Sequence, residues 1–261
     1  MDSMLIFDRH AVRRHRDRAA KTVERVADVL RDAAERLLDR LDDTNRRFTD
    51  ALDVGGRGVV APLLRERGMR VVSCDLSAAM AARNGQPCVV ADEEFLPFAP
   101  ASFDLIVASL SLHWVNDLPG ALLQLSRALR PEGLLLASLP ALGSLAELRT
   151  ALTEAEAELT GGASPRVSPF PELRDCAHLL QRAGFTLPVA DVEDIKLLYA
   201  DPLALLKDLR SAGEANAIRQ RAHTVPHRAL FPAALARLPT EGERVAVTLR
   251  MAVMTGWAPG G

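Results

Sequence analysis

From Thr49 onward, apolar segments of strand length alternate with segments of helical periodicity, and this alternation narrows the possible folds more than any other feature of the chain. Ala51–Val54 leads into a helical run at Val59–Arg67, and Arg70–Cys74 leads into Ser77–Arg83. Cys88–Val90, Phe103–Leu110, the helical Leu118–Leu129 and Gly133–Leu139 continue the series. Parallel strands cannot be joined by a tight turn and need a crossover, usually a helix, so the pattern reads as βαβ units around a parallel sheet. The strands are continuous Val/Leu/Ile runs, as required when helices cover both faces of the sheet. Two later runs, Asp191–Ala200 and Arg244–Trp257, read as long strands with a helical insertion between them. The expected fold is a doubly wound, Rossmann-like α/β sheet of seven strands.

Residues 1–48 differ in texture. Val23, Val26, Val29, Leu30, Leu37, Leu38 and Leu41 recur at helical spacing, predicting one amphipathic helix from about Val12 to Leu41 that must pack on something. The Arg9–Arg18 cluster is interrupted by Asp17 and preceded by Asp8, which a targeting peptide would avoid, so it reads as a solvated helix face. The expected organisation is a helical extension over 1–48 and one α/β domain over 49–261. With 32 basic and 34 acidic residues there is no electrostatic footprint for nucleic acid, and no run is long and uncharged enough to span a bilayer. Cys74, Cys88 and Cys176 are odd in number and scattered, so neither a disulfide framework nor a zinc site is read, and a reducing, cytoplasmic location is expected.

The chemistry-bearing residues fall at strand ends, where doubly wound sheets bind ligands. "ALDVGGRGVV" carries Asp53, Gly55, Gly56 and Gly58 in a turn whose backbone can approach a ligand and point N–H groups at it. "VVSCDLSAAM" ends its strand in Asp75, placed to accept ribose hydroxyls, or else to cap the next helix, which Ser77 does better. "VVADEEFLPF" places Asp92 after the third strand, where it can accept from an adenine amino group. "FDLIVASLSLHWVNDLPG" runs a buried strand into a loop with His113 and Trp114. Leu76, Glu93 and Ser109 join Asp53, Asp75, Asp92 and the three glycines as candidate cofactor-binding residues. His113 is the candidate base or substrate orienter and Trp114 the pocket wall; an imidazole held in its loop and a ring anchoring the next helix are the alternatives. "GGASPRVSPFP" makes 160–171 a lid-like loop or a simple connector.

These motifs resemble the class I S-adenosylmethionine-dependent methyltransferase superfamily. With "FDRHAVRRHRDRAA", "ADEEFLPF", "SLSLHWVNDLPGAL", "GGASPRVSPF", "LLQRAGF" and "TGWAP", nearly the whole chain is similar to the bacterial relatives of a mitochondrial complex I assembly factor. The resemblance implies a methyltransferase sheet, S-adenosylmethionine as cofactor, and, from the mitochondrial member, hydroxylation of an arginine side chain on a complex I subunit. The family reads Asp-x-Gly-Cys-Gly-Arg-Gly, and this chain is one residue short at Asp53-Val54-Gly55-Gly56-Arg57-Gly58, so retained but weakened cofactor binding is expected. Three functions follow: methyl transfer to a protein or small-molecule acceptor, arginine hydroxylation on a respiratory complex I subunit, or a non-catalytic assembly factor with a degenerate pocket. A two-His, one-carboxylate iron site is not legible, because His223 and His227 flank Pro226 and read as surface loop residues. Glu154, Glu156 and Glu158 could attract a basic side chain or be a solvated face, and the "DLRSAGEAN" stretch is expected to border the acceptor pocket.

Overall fold

The computed structural model describes residues 5–260. Its sheet contains β1 (Asp50–Val54), β2 (Arg70–Asp75), β3 (Cys88–Val90), β4 (Phe103–Ser109), β5 (Leu129–Pro140), β6 (Thr186–Tyr199), β7 (Thr240–Glu241) and β8 (Arg244–Trp257). Their order is β3-β2-β1-β4-β5-β8-β6, with the two-residue β7 pairing only to β8. β1 to β5 run parallel, while β8 is antiparallel to both β5 and β6. This is the expected seven-strand path with a short added hairpin. The chain winds outward from β1 to β3 and then crosses back to β4, so the loops after β1 and β4 diverge and open a crevice at their carboxyl ends.

The sheet carries α3 (Val60–Glu66), α4 (Ala78–Ala81), α5 (Leu118–Ala128) and α7 (Leu173–Arg182) in its crossovers. Leu122 and Leu125 of α5 and Leu180 of α7 bury against Leu52, Ile106 and Leu135 on one face. The other face meets the N-terminal segment, which is broken rather than one helix: α1 (Arg9–Ala19), a 3-10 turn at Val23–Val26, then α2 (Ala27–Leu38) and a second 3-10 turn at Asp39–Leu41. Thr22, at φ −132° and ψ 2°, is where the helical path is lost. Leu30, Ala33, Leu37 and Leu38 of α2 share one apolar cluster with Ala51, Leu105, Leu134 and Met251 of the strands. The break frees α1 to turn toward the crevice while α2 lies on the sheet.

β6 begins at Thr186, before the expected 191, and its pairing is irregular between Thr186 and Val189, around Pro188. An edge strand tolerates such a proline because its outer amides need no partner. Between β5 and β6 lies α6 (Ala146–Thr160), and between β6 and β8 come α8 (Pro202–Ala212) and α9 (Leu230–Leu235). These three pack with Val245 and Val247 into a separate apolar cluster, of which Leu148 and Leu152 also line a cavity. No described helix is long and apolar enough to cross a membrane.

Candidate functional site

The glycine loop makes a tight, left-handed turn. Gly55 takes the left-handed conformation (φ +68°) and donates its N–H to Cys74 O at 2.8 Å. A Cβ at Gly56 would lie 2.2 Å from Asp53 Oδ1, so the buried carboxylate beneath the loop leaves room for glycine alone. Arg57 follows with φ +53° despite its side chain, and Gly58 (φ +84°) donates its N–H to Asn84 Oδ1 at 2.5 Å. A left-handed non-glycine residue costs about 1–2 kcal/mol, and Arg57 offsets that cost with contacts deep in the protein. Its Nη2 donates to Leu110 O at 2.6 Å and to Glu214 Oε1 at 2.7 Å. Asp53 is fully buried beside Ser73 with no hydrogen bond of ordinary geometry, and burial, reinforced by the charge of Asp75, pushes its carboxyl up to about 7.

At the end of β2, Ser77 Oγ caps Met80 N (3.1 Å), so the capping role is not Asp75's. Asp75 Oδ1 accepts from Ser77 N at 2.8 Å, and its Oδ2 faces Arg16 Nη1 at 3.2 Å. Arg16 is 1% exposed; it also donates to Glu93 Oε1 (2.7 Å) and to Ser111 O (3.2 Å). Arg9 donates to Asp92 Oδ1 (2.5 Å), to Glu93 and to Trp114 O (3.1 Å). The Arg9–Arg18 cluster is therefore not a solvated face throughout: two of its arginines fill the crevice. The reason is charge. Asp75, Asp92, Glu93 and Glu94 converge at neighbouring strand ends, and a buried carboxylate without a counter-ion costs several kcal/mol. Burial raises the Asp75 carboxyl despite Arg16, whereas Glu93, between Arg16 and Arg9, is held below the usual carboxylate range. Leu76 packs beside the Phe7, Val12 and Trp114 cluster, and Ser109 is buried at the end of β4 in register with Ser138.

These residues fit an adenosyl group. Strand-end carboxylates lie on adjacent strands, a cradle that only glycine can form lies beside them, and Asp53 is an orphaned acid under that cradle. A ribose hydroxyl accepted by Asp75 Oδ2 has to take the place now held by Arg16 Nη1.

Past β4, a 3-10 turn at Leu112–Trp114 presents His113 and Trp114 to a residue that the strand-end reading did not single out. Glu214 Oε2 lies 2.7 Å from His113 Nε2 and accepts from Trp114 Nε1 at 2.7 Å. Burial would raise the Glu214 carboxyl, but His113, Arg57 and the indole N–H hold it at about 2. Trp114 also meets the Phe7 ring edge-on, with centroids 5.2 Å apart, so it packs on the N-terminal segment, not on the helix that follows it, and it also lines the neighbouring cavity. Beyond this cluster lies a cavity of about 290 Å³. The "DLRSAGEAN" stretch supplies Asp208, Glu214 and Asn216 to its wall, and the 160–171 loop supplies Arg166, Val167, Ser168 and Phe170. The acidic run on α6 does not await a basic ligand at two of its three positions: Glu156 is paired with Arg166 at 2.5 Å and Glu158 with Arg237 at 2.5 Å. His223 and His227 are exposed, away from the cluster around Glu214.

Comparison with known proteins decides the lineage. A family model described as a methyltransferase domain matches residues 15–188. The chain belongs to the methyltransferase-domain family. This methyltransferase-domain protein is 34% identical over 270 residues to the malonyl-[acyl-carrier protein] O-methyltransferase of Halorhodospira halophila, covering 98% of this chain and 90% of that one. It is 43% identical over 173 residues to the human mitochondrial arginine-hydroxylase NDUFAF5, covering 65% of this chain and 50% of the relative. The chain spans about half the length of the arginine-hydroxylases of human, mouse and zebrafish that it matches. Among solved structures, the YcgJ protein of Bacillus subtilis aligns with a TM-score of 0.60 at 12% identity, over 87% of this chain and 99% of that one, a likeness of fold.

Proposed function

We propose that this protein binds S-adenosylmethionine at the ends of β1 to β3, beside Asp75 and Asp92 and over the glycine loop that covers Asp53, and transfers its methyl group to an acceptor held in the adjoining cavity. The observation that carries this reading is the shared wall. Arg57 leaves the glycine loop and reaches the cavity, where it meets His113 through Glu214. One loop is thereby tied to both compartments. When bound, the cofactor supplies an electrophilic methyl group on a sulfonium. This chain's residues do the rest. Asp75 accepts hydroxyls in exchange for Arg16, Trp114 and the 160–171 loop exclude water, and His113 orients the acceptor.

The 43% identity to an arginine-hydroxylase supports a second reading, hydroxylation of an arginine on a respiratory complex I subunit. Methyl transfer is placed first because the relative that matches nearly the whole chain is an O-methyltransferase, whereas the arginine-hydroxylases are covered over about half their length. Calorimetry with S-adenosylhomocysteine tests the proposal. The native chain is expected to bind it, and Asp75→Ala to weaken binding by at least about tenfold while unfolding cooperatively. Absence of heat with the native chain would overturn it.

A further inference from the structure

Two of the left-handed residues that are not glycine, Arg57 (φ +53°) and Leu110 (φ +48°), both line the cavity. Such a conformation costs free energy and persists only where the surroundings over-determine it. Here one link holds both. Arg57 Nη2 donates to Leu110 O at 2.6 Å and to Glu214 Oε1 at 2.7 Å. Arg57 follows β1 and Leu110 follows β4, so a single guanidinium ties together the loops of two paired strands.

The second oxygen of Glu214 reaches further along the β4 loop. Oε2 accepts from Trp114 Nε1 at 2.7 Å and lies 2.7 Å from His113 Nε2. Burial would raise this carboxyl, yet it sits at about 2, so the group is ionised at neutral pH and both of its oxygens accept. Its starting point is fixed as well. Gly213 (φ +83°) ends α8, and Glu214 N donates to Leu209 O at 2.8 Å, the bond that closes a Schellman cap. Two residues on, Asn216 Nδ2 donates to Pro165 O at 2.9 Å, which brings the 160–171 loop to the same corner.

We infer that Glu214 is a positioning residue that sets the cofactor loop and the cavity wall together. Through Arg57 it keeps the glycine loop in the conformation that receives the cofactor, and through His113 and Trp114 it keeps the wall in shape. A cofactor bound at the loop thereby steadies the wall. This deepens the transferase reading and rests on it for the ligand of the loop.

The test compares the full native chain with Glu214→Gln, Arg57→Met and the double variant. Glutamine keeps the shape of the side chain but has one acceptor oxygen where Glu214 uses two, so its NH₂ faces a donor on one side. Calorimetry with S-adenosylhomocysteine should show each single variant binding at least about tenfold more weakly. The double variant should fall no more than about threefold below the weaker single one, because both changes cut the same link. Losses that multiply in full overturn the proposal.

Hydrogen exchange supplies a reading that needs no ligand. The amides of Gly55, Gly58, Leu110 and Val115 are hydrogen-bonded, and so exchange reports their opening. In Glu214→Gln, segments 55–59 and 110–115 should exchange at least about tenfold faster, with 30–38 unchanged. Acceleration spread evenly over the chain, or confined to one of the two loops, also overturns the proposal. S-adenosylhomocysteine should slow exchange over 110–115 in the native chain and not in Glu214→Gln. If it binds the native chain and Glu214→Gln alike, the positioning role falls and the transferase reading stands. If the native chain does not bind it, the transferase reading falls, and the exchange pattern of the unliganded proteins decides the link on its own.

Discussion

Asp53 shows how much a single buried group can commit a protein. Its carboxyl is raised from the ordinary 3.8 to about 7. Between those two values the folded chain holds a proton that the unfolded chain has released. Stability therefore falls as pH rises across that window, is flat below it, and levels off above about 7. Asp53→Asn keeps the shape and removes the titration. Its stability should match the native chain near pH 4 and exceed it at pH 8, by up to about 4 kcal/mol, as measured by urea unfolding at the two pH values. A gain independent of pH would show that Asp53 does not titrate in this window. Arg16 and Glu93 make the complementary case. Arg16→Met leaves Asp75 without a counter-ion and Glu93 with Arg9 alone, and should cost about 3–5 kcal/mol, whereas Arg16→Met combined with Glu93→Met should cost less than the two single losses added together. Chemical denaturation of the two single variants and the double variant completes the cycle, and additive losses would mean the pair does not interact.

At the scale of elements, helical periodicity found the right faces and missed the breaks. Residues 23 to 41 carry apolar side chains at the proper spacing, and Leu30, Leu37 and Leu38 do bury against the sheet. The interruption at Thr22 leaves no trace in that spacing, because a 3-10 turn and an α-helix differ by a fraction of a residue per turn. The break leaves α1 with Arg9 and Arg16 at the strand-end acids while α2 lies on the sheet. Leu37 is fully buried between α2 and the strands, on the face of the sheet opposite α5. Leu37→Ala should therefore lower stability by about 2–5 kcal/mol and leave S-adenosylhomocysteine affinity unchanged, a separation read by unfolding and calorimetry on the same protein. The early start of β6 was hidden for a different reason: Pro188 reads as a strand stop, and only its place at a sheet edge makes it acceptable.

For the whole molecule, the change of composition near residue 48 divides the sequence but not the core, since Val26, Leu30 and Leu37 share a cluster with Ala51, Leu105 and Met251. The N-terminal segment is also tied to the far end of the chain: Asp8 meets Arg221 at 2.9 Å, and Phe7 bridges Ile218. We therefore expect one cooperative unit. Far-ultraviolet dichroism and tryptophan fluorescence should trace coincident unfolding curves, and a separate early transition in the helical signal would mean that residues 1–48 are a module of their own.

The parallel strands β1 to β5 and the row of acids at their carboxyl ends were legible in the amino-acid order, because they follow from local periodicity and from the last residue of a strand, whereas the antiparallel course of β8 between β5 and β6 is a matter of tertiary pairing. The sequence also marked "DLRSAGEAN" and the 160–171 loop as neighbours of a pocket. It could not say what neutralises the acids. Arg16 meets Asp75 from 59 residues away, and Glu214 meets Arg57 from 157. In one dimension those arginines look like any solvated helix face or loop. Only when packing removes water from the strand ends does a buried negative charge become too costly to leave alone, and that desolvation is a property of the folded volume.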